Sequence, residues 1–226
     1  MTTTLQLELY NSQIQNWPES GKHILAQYDN NSIVVYQAFK NSIAEYALKN
    51  QKFGGDDYSW YDRMTWIKPN FVWMMYRSGW ATKRYQERVL AIKISLEGFN
   101  SILYECVPSS FGASHFSDEK SWRKALENSD VRLQWDPDHD LNGKKLERRA
   151  IQLGIRGERL TTKYSNEWIL SIEDITEFVK EQYEHVKHGN LDMVRTPREE
   201  VYEIKDERIT KILGMDSQEI SGREGD

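Results

Sequence analysis

Residues 63–80 read RMTWIKPNFVWMMYRSGW, and this stretch determines much of the expected fold. Lys68 precedes Pro69, which favours extended backbone, so residues 63–68 are predicted to form a strand. Pro69 suits the first turn of a helix, and Gly79 suits its end. The stretch therefore predicts a strand followed by a short helix that stops at Gly79.

The same stretch places three of the chain's eight tryptophans beside Arg63, Lys68 and Arg77. On the predicted helix, Trp73, Arg77 and Trp80 follow one another at spacings of four and three, so we expect them to share one stripe. A guanidinium group between indoles can stack, and such a surface suits a nucleobase or a phosphate. The alternative interpretation is that the aromatic residues are packed core and the arginine is a structural ion-pair partner.

Composition sets limits on the class of protein. A chain of 226 residues is long enough for one substantial core. The formal charge of −5 argues against a protein that coats nucleic acid with a global positive field, although a local basic cleft is compatible with it. The single cysteine, Cys106, indicates a reducing compartment, and neither a signal peptide nor a membrane-spanning run is present. We therefore expect a cytoplasmic protein that does not associate with membranes.

Further β-rich runs alternate irregularly with segments of helical spacing, and residues 144–158 suit either a strand or a helix. No glycine-rich phosphate loop follows any of these runs, which disfavours a doubly wound sheet. We expect a single mixed α+β domain with a central, mostly antiparallel sheet flanked by helices. The additional predicted strands are residues 32–39, 87–95, 131–137 and 167–175.

Two capping-box patterns predict where helices begin. Glu45 follows Ser42 by three residues, and Glu199 follows Thr196 by three residues. We therefore expect one helix after the strand at 32–39 and a last, charged helix from about Thr196. The expected organisation is an N-terminal extension (1–30), an α+β catalytic-type domain (31–190) and a C-terminal charged helix and tail (191–226).

The acidic run WDPDHD offers a cluster of oxygen ligands with one imidazole: Asp136, Asp138, His139 and Asp140. A hard cation accepts such oxygens, but the calcium-loop pattern with its glycine and distal glutamate is absent. The alternatives are a solvated turn between strands, or pairing of these carboxylates with Arg148 and Arg149. We assign no metal to the run.

Long blocks of the chain resemble one family. The blocks are RMTWIKPNFVWMMYRSGWATKRYQERVLAI, VRLQWDPDHD, RRAIQLGIRG and EWILSIEDIT, and the family that they resemble is called domain of unknown function 4291. The resemblance extends from about Ile33 to Val179. It indicates a family but implies no reaction, because the family has none assigned.

A second resemblance concerns architecture. The order VVYQAF, helix, glycine loop, RMTWI, helix, VLAIKI is similar to the front half of the ADP-ribosyltransferase fold. That fold implies an Arg or His on the first strand, a Ser, Thr or Tyr on the second and a glutamate on a later one, but VVYQAF contains neither Arg nor His. The matching positions are Tyr36 and Gln37 on the first strand, Thr65 and Trp66 on the second, and Gln152 and Glu173 as alternatives for the last.

The expected function is that of an ADP-ribosyltransferase-like transferase that holds NAD, or another nucleotide-bearing anionic substrate, in a cleft lined by Trp and Arg. The alternative is an RNA- or DNA-binding protein, non-catalytic or tRNA-dependent, that uses the same basic aromatic cleft. The expected catalytic residues are Arg63, Thr65, Gln152 and Glu173. The expected cofactor-binding residues are Tyr36, Gln37, Trp66, Lys68, Trp73, Arg77, Lys83 and Arg149.

Overall fold

Strands and short helices alternate irregularly along the chain, and the computed structural model describes residues 5–58 and 63–215. The helices are Tyr10–Gln13 (α1), Asn41–Asn50 (α2), Phe71–Ser78 (α3), Leu96–Glu105 (α4), Glu119–Asn128 (α5), Glu158–Lys163 (α6), Thr176–Lys187 (α7) and Glu207–Leu213 (α8). The strands are Leu7–Leu9 (β1), Gly21–Lys22 (β2), Leu25–Ala26 (β3), Ser32–Phe39 (β4), Thr65–Ile67 (β5), Arg88–Ser95 (β6), Cys106–Pro108 (β7), Val131–His139 (β8), Lys145–Ile155 (β9), Ile169–Asp174 (β10), Arg195–Pro197 (β11) and Glu200–Val201 (β12).

Two sheets form the centre of the molecule. One has three antiparallel strands in the order β10-β6-β4. The other has the order β2-β9-β8-β7, and β5 also pairs with β9. Only the β2–β9 and β7–β8 pairs are parallel among the strands of the described residues, so the predicted mixed, mostly antiparallel α+β fold is confirmed.

Among the described residues, the two sheets meet at one isolated backbone bridge, between Tyr36 of β4 and Lys68, just after β5. Each residue donates its N–H to the other's carbonyl, at N···O distances of 2.7 and 3.3 Å. One residue further along β4, the side chain of Gln37 donates to the Trp66 carbonyl at 3.1 Å. The Gln37 side chain thus replaces the backbone hydrogen bonds that would otherwise continue between β4 and β5. Beyond this point β4 and β5 separate.

Helices cover both faces of the sheets and create two buried clusters. The first cluster joins the inward side chains of both sheets, such as Val35 and Leu153, to α2, α4 and α8. The second packs α3 and α7 on the opposite face, with Met75 and Val179 at its centre. Because the side chains of a strand alternate between faces, β4 contributes to both clusters. Burial on both faces explains why residues 33–36 form an uninterrupted hydrophobic run.

Most predicted elements are present. Helix α3 ends at Gly79 as predicted, but it begins at Phe71, so Pro69 lies before the Asn70 cap rather than in the first turn. The Asn70 side chain caps the helix by accepting from the Trp73 N–H at 2.6 Å, and Gly79 ends it with φ of 57°. The ambiguous residues around Ile151 form strand β9. The acidic run was expected to be a turn, but β8 continues through His139, because Asp136 pairs with Ala150 on β9.

Both predicted capping boxes are wrong. Helix α2 is preceded by Lys40 and has no side-chain cap. Thr196 lies in a strand rather than at a helix start, because β11 finds an antiparallel partner in β1. Glu199 is buried and accepts from the Phe71 N–H at the start of α3 at 2.6 Å, instead of capping its own segment. Burial raises the pKa of Glu199 well above its usual value.

Both terminal segments contribute to the central packing. Strand β11 pairs with β1, and β12 pairs with β3. Ile209 and Leu213 of α8 belong to the same buried cluster as the sheet residues. The described parts of residues 1–30 and 191–226 therefore add strands and core side chains to the α+β unit. Within the described residues, no helix is long and apolar enough to cross a bilayer.

Candidate functional site

A cleft of about 710 Å³ opens where β4 and β5 separate. Sites for small molecules typically measure ~300–1,000 Å³, so the cleft is large enough for a nucleotide. Its walls come from the end of β4, the residues that lead into β5, helix α3 and the loop that joins α3 to β6. The cleft thus lies between the two sheets, on the stretch from which the fold was predicted.

Four cationic side chains line the cleft and have no carboxylate partner in the described part of the chain: Arg63, Lys68, Arg77 and Arg84. Among residues 5–58 and 63–215, no Asp or Glu oxygen lies within ion-pair distance of any of them. The fifth cation of the lining, Lys40, differs because it pairs with Asp57 at 2.7 Å. Unpaired like charges around one hollow repel each other, so a bound anion would lower the energy of this arrangement.

Lys68 is the most unusual of these cations because it is 94% buried. The pKa of its ammonium is lowered from 10.5 to about 8, chiefly by burial and secondarily by the neighbouring charge of Arg77, while Asp136 partly opposes both effects. The described residues offer its Nζ no hydrogen-bond acceptor. A phosphate oxygen that accepted a hydrogen bond from this buried ammonium would therefore lower its free energy substantially.

A chain of hydrogen bonds fixes the polar wall between the sheets. Tyr164 donates to Gln37 Oε1 at 2.8 Å, and Gln37 Nε2 donates to Thr65 Oγ1 at 2.7 Å. Tyr58 donates to the same threonine oxygen at 3.0 Å. Burial raises the pKa of Tyr58 to about 12 and that of Tyr164 well above 10, so both hydroxyls remain protonated at neutral pH. The wall can orient sugar hydroxyls, but it carries no charge.

The structure brings half of the twelve predicted site residues together in this cleft. Their side chains come from three different elements and surround the same hollow. They are Gln37, Arg63, Thr65, Trp66, Lys68 and Arg77.

Three other predicted residues lie on α3 or next to it but outside the cleft lining. Tyr36 is fully buried and packs edge-on against Phe71, at a ring distance of 5.5 Å. Trp73 is buried and stacks on His139 at 5.3 Å. Lys83 donates to the carbonyl of Arg77 at the end of α3, at 2.7 Å. Each of these three side chains contacts protein groups that stabilise α3 or its surroundings.

The predicted Trp73/Arg77/Trp80 stripe does not form. Gly79 is in the left-handed region, so the chain turns and Trp80 leaves the helical spacing. The Trp80 ring stacks on Tyr183 of α7, at a centroid distance of 5.6 Å and an angle of 9°. The two indoles therefore belong to packed core, as the alternative interpretation held, while Arg77 faces the cleft.

The remaining predicted residues lie on other strands. Gln152 donates to Gln134 Oε1 at 2.8 Å and to Asp136 Oδ2 at 2.5 Å, on the sheet face that Lys68 also occupies. Arg149 is exposed on the other side of β9. Glu173 lies on β10, which β6 separates from β4. None of Gln152, Arg149 and Glu173 lines the cleft, and their assigned roles stay predictions.

The acidic run is divided between separate interactions. Asp138 forms a buried ion pair with Arg148 at 2.7 Å, as one of the sequence alternatives proposed. Asp140 accepts from the backbone N–H of Asn142 and closes the β8–β9 turn. The His139 ring is stacked against Tyr76 at 3.6 Å. Within the described residues, no group of three or more His, Cys, Asp and Glu side chains is arranged to hold a metal ion.

Sequence reasoning missed Arg84, Tyr85 and the Lys40–Asp57 pair. Arg84 and Tyr85 belong to the loop between α3 and β6, and both line the cleft. The Arg84 guanidinium lies 4.6 Å from the centroid of the Tyr85 ring. The adjacent basic and aromatic residues in TKRYQ could have indicated that Arg84 and Tyr85 belong to a binding site. No local sequence pattern indicates the same for Asp57.

The family comparison agrees with the blocks that the sequence analysis singled out. The model of a family described as Domain of unknown function (DUF4291) matches residues 23–202. The chain belongs to this family. The match includes every strand and helix that lines the cleft. None of the curated proteins compared with the chain matches it.

Proposed function

We propose that the protein binds a nucleotide-bearing anionic substrate in the cleft between β4 and β5, with NAD as the first candidate, and acts as an ADP-ribosyl-type transferase. The observation that supports this proposal is the set of four cations, Arg63, Lys68, Arg77 and Arg84, which line one hollow and have no carboxylate partner among the residues that the structure describes. A buried amine held beside a guanidinium destabilises the free protein, so a functional ligand is the natural reason for keeping it.

The number of cations favours a diphosphate over a single phosphate. Four positive side chains exceed the charge of one phosphate group, whereas a diphosphate bridge supplies several acceptor oxygens over a longer span. Arginine at three of the four positions suits bidentate contact with phosphate oxygens. A diphosphate ester such as NAD would therefore contact most of the set at once.

In the proposed reaction, the bond between the nicotinamide nitrogen and ribose C1′ breaks. The electron pair leaves with nicotinamide, positive charge develops on the ribose, and an acceptor forms the new bond to C1′ and releases its proton. Gln37 and Thr65 are the uncharged polar groups placed to orient the ribose hydroxyls, while Arg63 and Lys68 hold the phosphates. Asp57, a carboxylate of the lining, pairs with Lys40 and would have to exchange this partner to face the developing positive charge.

The first test is NAD binding, measured by isothermal titration calorimetry. Arg63→Ala and Arg77→Ala should each weaken binding roughly 10- to 100-fold, as expected for lost charge-assisted hydrogen bonds of about 1.5–3 kcal/mol. Arg123→Ala removes the same charge from an exposed position on α5, outside the cleft lining, and serves as the control. NAD binding that survives the two cleft substitutions, or falls equally in all three variants, would contradict the proposal.

The second test separates transfer from binding. Incubation with NAD should release nicotinamide, and mass spectrometry should detect an ADP-ribosyl adduct on an added acceptor or on the protein itself. If no product forms and oligonucleotides bind with a steep dependence on salt, the protein is instead a nucleic-acid-binding module that uses the same cleft.

A further inference from the structure

The loop between α3 and β6 has an unusual backbone. Gly79, Trp80 and Ala81 are consecutive residues in the left-handed region, with φ of 57°, 55° and 64°, and Tyr85 has φ of 65°. Residues other than glycine rarely adopt this conformation, and large side chains rarely do so outside functional sites. Three such residues within six positions call for a reason beyond the connection of two elements.

Several contacts hold this loop in place. The Trp80 N–H donates to the Met75 carbonyl at 2.9 Å, and the Lys83 N–H donates to the Ser78 carbonyl at 3.1 Å. Stacking of Trp80 on Tyr183 attaches the loop to α7. The loop is therefore ordered before any ligand binds, and ordering it at the moment of binding costs little entropy.

This ordered loop presents a solvent-facing aromatic ring at the edge of the cleft. Tyr85 is 58% exposed, the second most exposed large hydrophobic side chain of the described residues, and it lines the cleft. Its backbone N–H donates to Glu87 Oε1 at 2.9 Å, which helps to hold the left-handed turn. The Arg84 guanidinium lies over the ring and places a positive charge beside it. An exposed ring next to a phosphate-type site is the arrangement that stacks a nucleobase.

We propose that Tyr85 stacks the aromatic base of the ligand while the cations of the cleft hold its phosphates, so that the substrate class is a nucleoside diphosphate or one of its esters, such as NAD. This inference rests on the proposed anion-binding function and specifies it. The base lies on Tyr85 in the loop between α3 and β6, whereas the Trp73 and Trp80 rings are buried in packed core. Arg84 links the two parts of the site, because it contacts the ring and also lines the hollow.

The test compares ADP with inorganic pyrophosphate, which has the phosphates but no base. Tyr85→Ala should weaken ADP binding roughly 10- to 100-fold, the usual range for one lost base-stacking contact, and leave pyrophosphate binding unchanged. Tyr85→Phe should bind both ligands like the wild type. Tyr104→Ala is the matched control, because Tyr104 is 49% exposed and lies 5.3 Å from an arginine guanidinium outside the cleft.

The Tyr85→Gly variant separates the effect of the ring on ADP binding from its effect on stability. Glycine tolerates a positive φ, so this variant should melt at the wild-type temperature or above it, yet lose ADP affinity as Tyr85→Ala does. Unchanged ADP binding in Tyr85→Ala, or equal weakening of ADP and pyrophosphate, would overturn the role of the ring and leave the cationic site standing. Failure of the wild type to bind pyrophosphate would instead overturn the anion-binding function itself.

Discussion

At pH 7, the Lys68→Met variant is expected to unfold at a higher temperature than the wild-type protein and to bind NAD more weakly. The folded-state pKa of Lys68 is lowered from 10.5 to about 8, so keeping this side chain charged in the folded protein costs on the order of 2–3 kcal/mol. Methionine fills a similar volume without the charge. For a chain of this size the gain corresponds to roughly 5–10 °C in melting temperature.

The same pKa determines how stability and binding vary with pH. Between pH 8 and 10.5 the unfolded chain keeps a proton on Lys68 that the folded protein has lost, so raising the pH through this window favours folding. The advantage of Lys68→Met is therefore complete below pH 8 and disappears by about pH 10.5. NAD affinity of the wild type should be full below pH 8 and decline above it, whereas the affinity of Lys68→Met should stay low and change little.

Thermal unfolding monitored by circular dichroism and calorimetric NAD titration at several pH values test this prediction. Lys52→Met, at an exposed lysine beyond α2, should change neither the stability nor the affinity appreciably. A Lys68→Met protein that is less stable than the wild type at pH 7 would show that the ammonium is a structural partner rather than a group kept for a ligand.

The second large effect is expected at the buried ion pair that connects β8 to β9. Asp138→Ala should destabilise the fold by about 3–5 kcal/mol, because it leaves the Arg148 guanidinium buried without its counter-charge. Both side chains are more than nine-tenths buried and lie 2.7 Å apart, and Arg148 also donates to the Pro18 carbonyl. The Trp17 ring lies 5.3 Å from the same guanidinium, so the pair also anchors the N-terminal segment.

Urea denaturation measures this loss, and a double variant separates its causes. Adding Arg148→Met to Asp138→Ala should recover part of the stability, because the uncompensated charge is removed. Glu119→Ala breaks an exposed pair with Arg123 on α5 and should cost less than about 1 kcal/mol. If Asp138→Ala costs no more than Glu119→Ala, the buried pair does not hold the β8–β9 region together.

Local patterns were sufficient to predict the parts of the fold that depend on short-range rules. Residues 32–39 form a strand because their apolar side chains are buried on both faces, and α3 ends at Gly79 because glycine accepts a positive φ. The capping boxes failed for the opposite reason. Thr196 and Glu199 satisfy a local rule, but β1 and the start of α3 offered them better partners far away in sequence.

The candidate site was predicted only in part, for a related reason. Arg63, Lys68 and Arg77 occur in one stretch, so their convergence followed from a strand and a helix that are adjacent in sequence. Arg84 and Tyr85 reach the same cleft only because three left-handed residues turn the loop back. Composition and periodicity do not indicate such a turn. The separation of β4 from β5 beyond the Tyr36–Lys68 bridge depends on how the two complete sheets are arranged, so local sequence does not indicate it either.

A crystal structure of the protein soaked with pyrophosphate tests the central claim most directly. The account predicts density for the anion between β4 and α3, with phosphate oxygens within hydrogen-bond distance of Lys68 Nζ and of at least two of the guanidinium groups of Arg63, Arg77 and Arg84. A saturated soak that leaves this cleft without an anion, with the four cations turned toward solvent or paired with carboxylates, would contradict it.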